Sequence, residues 1–434
     1  MHVLHAATHE HTGAGRSAVR VHRAIARTGI KSEMLVLHGT GADPDVKVFA
    51  GMLRRRAADL QLRAENALLM LQGSRDGGYR SLALGRGPGL ACIRDSPADI
   101  VHLHWIPGLL GVADLPAIDR PVVWTFHDQW PICGAEHYTE LERPRLGYEK
   151  GNRAPSASGP DLDRWTWQRK RRAWKSFMPT IVCSSHWLGA ATRASLMFGD
   201  RDIHVVATPL DTTLYRQQDR AAARARLGLP GDRKLILFGA WDATRDRRKG
   251  FHVLSEALRL LSLRGLASGA DLVLFGAKGD GPVQGFNTHW LGFVEGETDM
   301  SRIYSACDML AIPSLQDNFP NVLAEAMACG LPAVGSDTGG IPDLIRHGET
   351  GLLAAPGDAV QLAGNLERML RDGSLWSRLG AAARTAVEQA CDERVVGARY
   401  AEIYHLARER HSAAREPRAL PSAPAPDATG RTGC

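Results

Sequence analysis

The sequence has no pair of cysteines at a redox or metal-ligand spacing. Its seven cysteines are odd in number, scattered, and without a CxxC. That argues against a disulfide framework and fits reduced, cytosolic thiols. No stretch approaches the ~20 consecutive apolar residues that a membrane span needs. The chain opens on MHVLHAA, which reads as a strand and lacks the apolar region of a cleavable signal. A soluble or at most peripheral protein is expected. Neither sign of charge dominates: 53 Lys and Arg stand against 47 Asp and Glu, a formal net charge of +6. The basic residues are too dispersed for a nucleic-acid binder, but the balance suits anionic substrates or an anionic membrane surface. What is present is length. With 434 residues the chain can form two domains of ordinary size.

Short apolar runs alternate with amphipathic stretches throughout, the pattern of α/β domains with parallel sheets. Strands are expected at 3–7, 34–37, 100–104, 122–126, 180–183 and 203–207, with helices between them, including 16–28 and 52–72. The pattern restarts after a connector at 208–217, with strands at 234–239, 271–276, 309–313 and 332–336. Two doubly wound, Rossmann-like domains imply a cleft at the carboxyl ends of both sheets. The boundaries fall at 1–208 and 209–385, followed by a terminal helix at 386–411. A tail at 412–434, rich in Ala, Pro, Arg and Ser without periodicity, is expected to be disordered. Residues 147–163 read as a mobile loop.

The most informative segment is DNFPNVLAE, from Asp317 to Glu325, running into AMACGLPAVGSDTGG. It places two carboxylates eight residues apart with Asn318, Phe319, Pro320 and Asn321 after the first. Asn321 reads as an N-cap, 322–329 as a short helix, and Gly330 with Pro332 as its end. Free N–H groups at that helix start favour an anion such as a diphosphate. A carboxylate can accept from two neighbouring hydroxyls, as in a ribose diol or a hexose. Glu325 could equally serve only its helix dipole.

This segment resembles the two-acid motif of the retaining GT-B glycosyltransferases of group 1, family 4, which use nucleotide sugars. Asp317 stands where Glu is commoner, in a DNxPN form similar to a bacterial polysaccharide-assembly branch. The resemblance extends to about residue 405. It implies a GT-B fold, with the last helix crossing back onto the first domain, and a nucleoside-diphosphate sugar as donor. Glu325 would hold the ribose diol and Asp317 a donor-sugar hydroxyl, assisted by backbone N–H groups at 318–321. Lys249, followed by Gly250, matches the family's cation on the departing diphosphate. The usual Arg after Gly239 is Ala240 here, so Arg248 or Arg245 would pair with Lys249. Gly276 and Val294 fall in loops that enclose the base, and Gly339-Gly340 is a sugar-side loop or a simple turn.

In the first half, Gly13, Gly15 and Arg16 follow the first strand, and glycines there permit close ligand approach. The resemblance places them beside the diphosphate or the acceptor. Trp124–Trp130, WTFHDQW, resembles the family's T-x-HDxW and puts His127 near the reaction centre; a structural His beside Asp128 is the alternative. His102 and His104 share one strand face, but with His127 they lack a metal-ligand spacing. No metal or other cofactor is expected. Arg169–Lys175, with Trp165 and Trp167 nearby, is either a solvated helix face or a contact for anionic lipid. The Leu and Met residues of 52–72 are expected in the core.

A cytoplasmic transferase follows, peripheral at most to the inner face of the membrane. Its acceptor would be a saccharide or a lipid-linked oligosaccharide of a capsule or exopolysaccharide. The alternatives are a GT-B phosphorylase or epimerase, and a degenerate subunit that acts by binding.

Overall fold

The computed structural model describes residues 1–415 apart from 42, 50, 74–77, 156 and 243. Two parallel sheets organise the chain. The first has seven strands in the order β3-β2-β1-β4-β5-β6-β7. They are β1 His2–His9, β2 Lys31–His38, β3 Val46–Val48, β4 Ile100–Leu103, β5 Val122–Phe126, β6 Thr180–Cys183 and β7 Ile203–Val205. The second has six in the order β10-β9-β8-β11-β12-β13. These are β8 Lys234–Gly239, β9 Ala270–Phe275, β10 Thr288–Gly292, β11 Met309–Ile312, β12 Ala333–Ser336 and β13 Gly351–Ala354. Each order reverses once, between β1 and β4 and between β8 and β11. Ligand crevices form at such switch points.

The interior strands are continuous apolar runs, VVWTF, TIVC and MLAI, buried on both faces as parallel strands covered by helices must be. Three strands lay outside the sequence expectation: β3, β10 and β13. All three are edge strands. An edge strand buries less, so VKV and THWLG carry a mixed composition that hides them.

Helix boundaries also differ from expectation. The first helix runs Gly13–Ala26, so it starts at Gly13 and not at Arg16. Thr12 caps it, its hydroxyl accepting from Gly15 N at 3.2 Å. A Cβ on Gly15 would lie 2.2 Å from the His9 carbonyl oxygen. That glycine lets the helix press on the end of β1.

Residues 147–163, expected as a mobile loop, contain a 3-10 turn at Lys150–Asn152 and are pinned by a buried arginine. Arg143 binds Asp161 at 2.6 Å and lies over the Tyr148 ring at 4.3 Å. Asp161 then caps the helix Leu162–Ala173. In that helix the basic run is not simply solvated. Lys170 is fully buried and donates to the carbonyls of Trp130, Cys133 and Gly134, above the Trp130 ring. Burial pulls its pKa down to about 7. The helix Met52–Leu69 and the turn after it also depart from expectation. Leu60, Leu68, Met70 and Leu71 are exposed, not in the core.

After the second sheet, Gly373–Cys391 packs on the second domain and Glu393–Arg415 crosses to the first. The crossing helix was expected over 386–411. Asp392 breaks the two helices apart, because its carboxylate accepts from Arg394 N and from Thr212 Oγ1. Tyr400, Ile403 and Tyr404 of the crossing helix join Val3, Val21, Ile25 and Ile100 in one core. The two chain crossings are bonded to each other: Leu210 N donates to Cys391 O at 2.7 Å, and Glu393 N to Leu210 O at 3.1 Å. Arg27, just past the first helix, pairs with Glu393 at 2.8 Å. Of the expected tail, Ser412–Arg415 is helical, and 416–434 lies outside the described residues.

Candidate functional site

The loops at the carboxyl ends of the two sheets meet face to face. On the second-domain side, Lys249 ends a 3-10 turn, Arg247–Lys249, and its Nζ donates to Asp317 Oδ2 at 2.7 Å. Gly250 makes this contact geometrically accessible. It has φ +74°, and a Cβ there would lie 1.9 Å from the Pro313 carbonyl oxygen at the end of β11. Gly339 and Gly340 support the other side of Asp317. A Cβ on either would sit 1.8 Å from the carbonyl oxygen of Asp317 or Asn318, and Gly340 N donates to Asp317 O. The glycine pair is thus a close-packed bed under the acid.

Arg248 lies beside this pair. It binds Asp246 at 2.6 Å and its guanidinium sits 4.5 Å from the Tyr138 ring of the first domain. Burial disfavours its charge, but Tyr138, Asp246 and Asp317 raise its pKa. Arg245 is exposed and makes no ion pair among the described residues. Of the two candidates, Arg248 is the one that feels Asp317.

Glu325 lies on the helix Asn321–Ala328 and is 4% exposed. One of its oxygens accepts from Arg20 Nη2 at 2.7 Å, the other from Tyr304 OH at 2.6 Å. Arg20 comes from the first helix and also reaches Glu297 and Tyr215. Burial works against the Arg20 charge, yet Glu325, ahead of Tyr215 and Glu297, raises its pKa and keeps it charged. This cross-domain partner was not legible in the sequence, because 305 residues separate the two groups.

Asn321 does not cap its helix. Pro320 occupies the cap position, and the Asn321 side chain crosses the cleft to Gly13 O at 3.2 Å and Ser17 Oγ at 3.1 Å. Asn318 crosses too, accepting from Ser185 Oγ and donating to the His127 carbonyl at 3.0 Å. Phe319 is half-buried against the second-domain core, and Arg16 is half-buried at the start of the first helix.

Gly276 has φ +79° and its N–H donates to Gly292 O at 2.7 Å, tying together the loops after β9 and β10. Val294 follows, half-buried. Here sequence reasoning missed Trp241. It is 75% exposed and its ring centroid lies 5.1 Å from that of Phe293, an open aromatic pair at the ends of β8 and β10.

On the first-domain side His127 follows β5 and is half-buried. Burial, opposed by Asp128, lowers its pKa to about 4. Asp128 is engaged elsewhere, with His137 Nδ1 at 2.6 Å, Trp130 N and Trp105 Nε1. His5, His102 and His104 are buried and their pKa values are also lowered by desolvation. A histidine whose folded pKa lies below its ordinary 6.5 binds fewer protons folded than unfolded. Its stabilising share is complete above pH 6.5 and is lost as pH falls toward the folded value. Each such group contributes a slope of about 1.4 kcal/mol per pH unit in that window. Melting temperature is therefore expected to fall steeply between pH 6.5 and 4; a flat profile would mean that these rings bind protons equally in the folded and unfolded states.

Two family models cover most of the chain. Residues 11–214 match Glycosyltransferase Family 4, and residues 232–372 match Glycosyl transferases group 1. The chain belongs to the GT-B glycosyltransferases of this group. Among curated relatives, D-inositol 3-phosphate glycosyltransferases of Mycobacterium tuberculosis and Mycobacterium bovis are 32% identical over 176 residues. That match spans 39% of this chain and 36% of theirs. Solved structures share the fold, among them the following three. Sucrose-phosphate synthase from Thermosynechococcus elongatus aligns with a TM-score of 0.65 at 18% identity, over 94% of this chain and 99% of that one. Anabaena HepE in complex with UDP-glucose gives 0.63 at 17%, over 94% and 100%. WaaG, a glycosyltransferase involved in lipopolysaccharide biosynthesis, gives 0.61 at 17%, over 92% and 99%. In this GT-B chain the cleft brings together Lys249, Arg248, Asp317, Asn318 and His127.

Proposed function

We propose that the protein is a retaining glycosyltransferase that moves a sugar from a UDP-, GDP- or ADP-sugar to a saccharide or lipid-linked acceptor. The Lys249–Asp317 contact at the cleft carries this reading. Lys249 and Arg248 would face the donor diphosphate, and Asp317 a sugar hydroxyl. The glycosidic carbon–oxygen bond breaks toward the diphosphate, whose growing charge the two cations stabilise. The acceptor oxygen bonds the same carbon from the same face, and its proton passes to the leaving phosphate oxygen. With two cations in that position the reaction needs no divalent ion. Glu325 would take the ribose diol once Arg20 releases it. The UDP and UDP-glucose complexes of HepE, which shares the fold, support a nucleotide-sugar donor.

The acceptor would enter over the first sheet. His9, Trp105 and Tyr79 line its carboxyl edge, with ring centroids 5.7 Å and 6.1 Å apart in sequence. Partly exposed aromatic rings suit the apolar face of a sugar. A capsule or exopolysaccharide role, at the inner face of the membrane, is consistent with this wall and with an exposed surface of mixed type. Leu60, Met70 and Leu71 are exposed, as is Trp165, whose ring lies under Arg169 at 4.6 Å. Among the described residues no helix is long and apolar enough to cross a membrane.

One observation favours the second reading, a subunit that only binds a partner: Arg20 and Tyr304 already engage both carboxylate oxygens of Glu325. Thermal shift and calorimetric titration with UDP, GDP, ADP and their sugar conjugates, without added metal, separate the two. Stabilisation by one nucleotide is expected. Silence toward all of them would sink the transferase in favour of the binding subunit.

A further inference from the structure

A row of histidines runs inward from the cleft. His5 lies on β1, His104 just after β4 and His127 just after β5. Nδ1 of His5 is 3.0 Å from Nε2 of His104, and Nδ1 of His104 is 3.1 Å from Nε2 of His127. Neighbouring rings in the row tilt by only 17° and 28°, so their in-plane lone pairs and N–H bonds can align. The middle residue is fixed by its backbone: His104 N donates to Ala6 O, and its carbonyl accepts from the Trp124 indole, both at 3.0 Å. His102 stacks on His104 with centroids 4.2 Å apart but is not part of the row. Its two nitrogens are taken by Tyr404 OH at 2.7 Å and Thr125 Oγ1 at 2.8 Å.

A neutral imidazole carries one N–H. Burial lowers the pKa of all three rings, so each is neutral near pH 7. Three neutral rings joined by two hydrogen bonds have two self-consistent proton placements. In one, every ring is protonated at Nε2, and the chain ends in a His5 Nε2–H. In the other, every ring is protonated at Nδ1, and the chain ends in a bare His5 Nε2. That atom is fully buried and has no hydrogen-bond partner. A buried N–H with no acceptor is the rarer defect and the costlier one.

We propose that His5 and His104 are positioning residues that hold neutral His127 with its proton on Nδ1, the one ring nitrogen of the row's outer member with no partner among the described residues. His127 then meets the cleft as a hydrogen-bond donor and not as a base. A fixed donor suits an oxygen that gains negative charge. Only that use rests on the transferase reading; the proton placement does not. His5, His102 and His104 also offer nitrogens within 4.8 Å of one another. A cation would have to break the His102 bonds to Tyr404 and Thr125 to use them.

The test is a long-range proton–nitrogen correlation spectrum of the full chain carrying 15N-histidine, with no nucleotide added. His127→Gln assigns the outer ring. The expected spectrum shows His127 protonated at Nδ1 and bare at Nε2. In His104→Phe, His127 is expected to flip to the Nε2–H form that a free imidazole prefers. Protonation of His127 at Nε2 in the unaltered chain overturns the proposal, as does an unmoved His127 signal in His104→Phe. Should that variant not fold, the unaltered chain decides by itself. Zinc that shifts the His5, His102 and His104 nitrogens together also overturns it, because the ion would take the His5 and His104 nitrogens that join the row. A failed nucleotide titration would leave this result standing.

Discussion

Glu325→Ala is expected to weaken nucleotide binding roughly 100-fold, about 3 kcal/mol, the worth of two charge-assisted hydrogen bonds to a diol. The same substitution should lower stability without nucleotide, because it strands the buried Arg20 guanidinium. Breaking a buried pair from one side costs about 3 kcal/mol or more. Glu297, which also binds Arg20, should soften that loss. Arg20→Ala is expected to act in the opposite sense on affinity. Nucleotide would no longer have to exchange a guanidinium for its ribose, so binding should tighten several-fold. The double variant should recover most of the stability and none of the binding. Titration calorimetry with melting curves on the four proteins tests the cycle. Unchanged affinity in Glu325→Ala would remove the ribose assignment.

Lys249→Ala is expected to cost 100- to 1,000-fold in turnover, roughly 3–4 kcal/mol, with a much smaller loss in nucleotide affinity. The asymmetry follows from the chemistry. Charge on the diphosphate grows as the glycosidic bond breaks, so a cation there is worth more in the transition state than in the ground state. Lys249→Ala also leaves Asp317, 6% exposed, without its cation, which should misplace the sugar. Lys249→Arg should recover part of the rate, since it restores charge with a different shape. Single-turnover release of sugar from the donor measures the step. If exposed Arg247→Ala slowed it equally, general surface charge and not the Lys249 contact would be the cause.

Interior strands could be read because a parallel strand covered on both faces must be apolar throughout, as VVWTF and MLAI are. Edge strands such as β3 carry no such mark. The local acid motif could be read because its spacing is confined to one loop and one helix turn. The partners of those acids could not. Arg20 meets Glu325 only after both domains fold and close, and no spacing anticipates a contact across 305 residues. The histidine row was hidden for a related reason. His5, His104 and His127 become neighbours only through the order β1-β4-β5, which the chain order of the strands does not state. Asn321 shows the limit of capping rules: a favourable cap residue gave up that position for a bond across the cleft.

The bonded crossing at Leu210, Cys391 and Glu393 has a mechanical consequence. Arg27 anchors the carboxyl end of the first helix to that crossing, while Gly13 at the amino end meets Asn321. The helix is packed on its own sheet and moves only with it, so a parting of the two domains about this crossing would make it an arm with its tip at the mouth of the cleft. Its 14 residues span about 21 Å. A swing of about 10° over that arm moves the tip by roughly 3–4 Å, enough to part the Asn321 contacts. Arg20, midway along the arm, would travel about half as far. Opening should thus proceed like a zip from the outer end, with the Glu325 contact the last to yield.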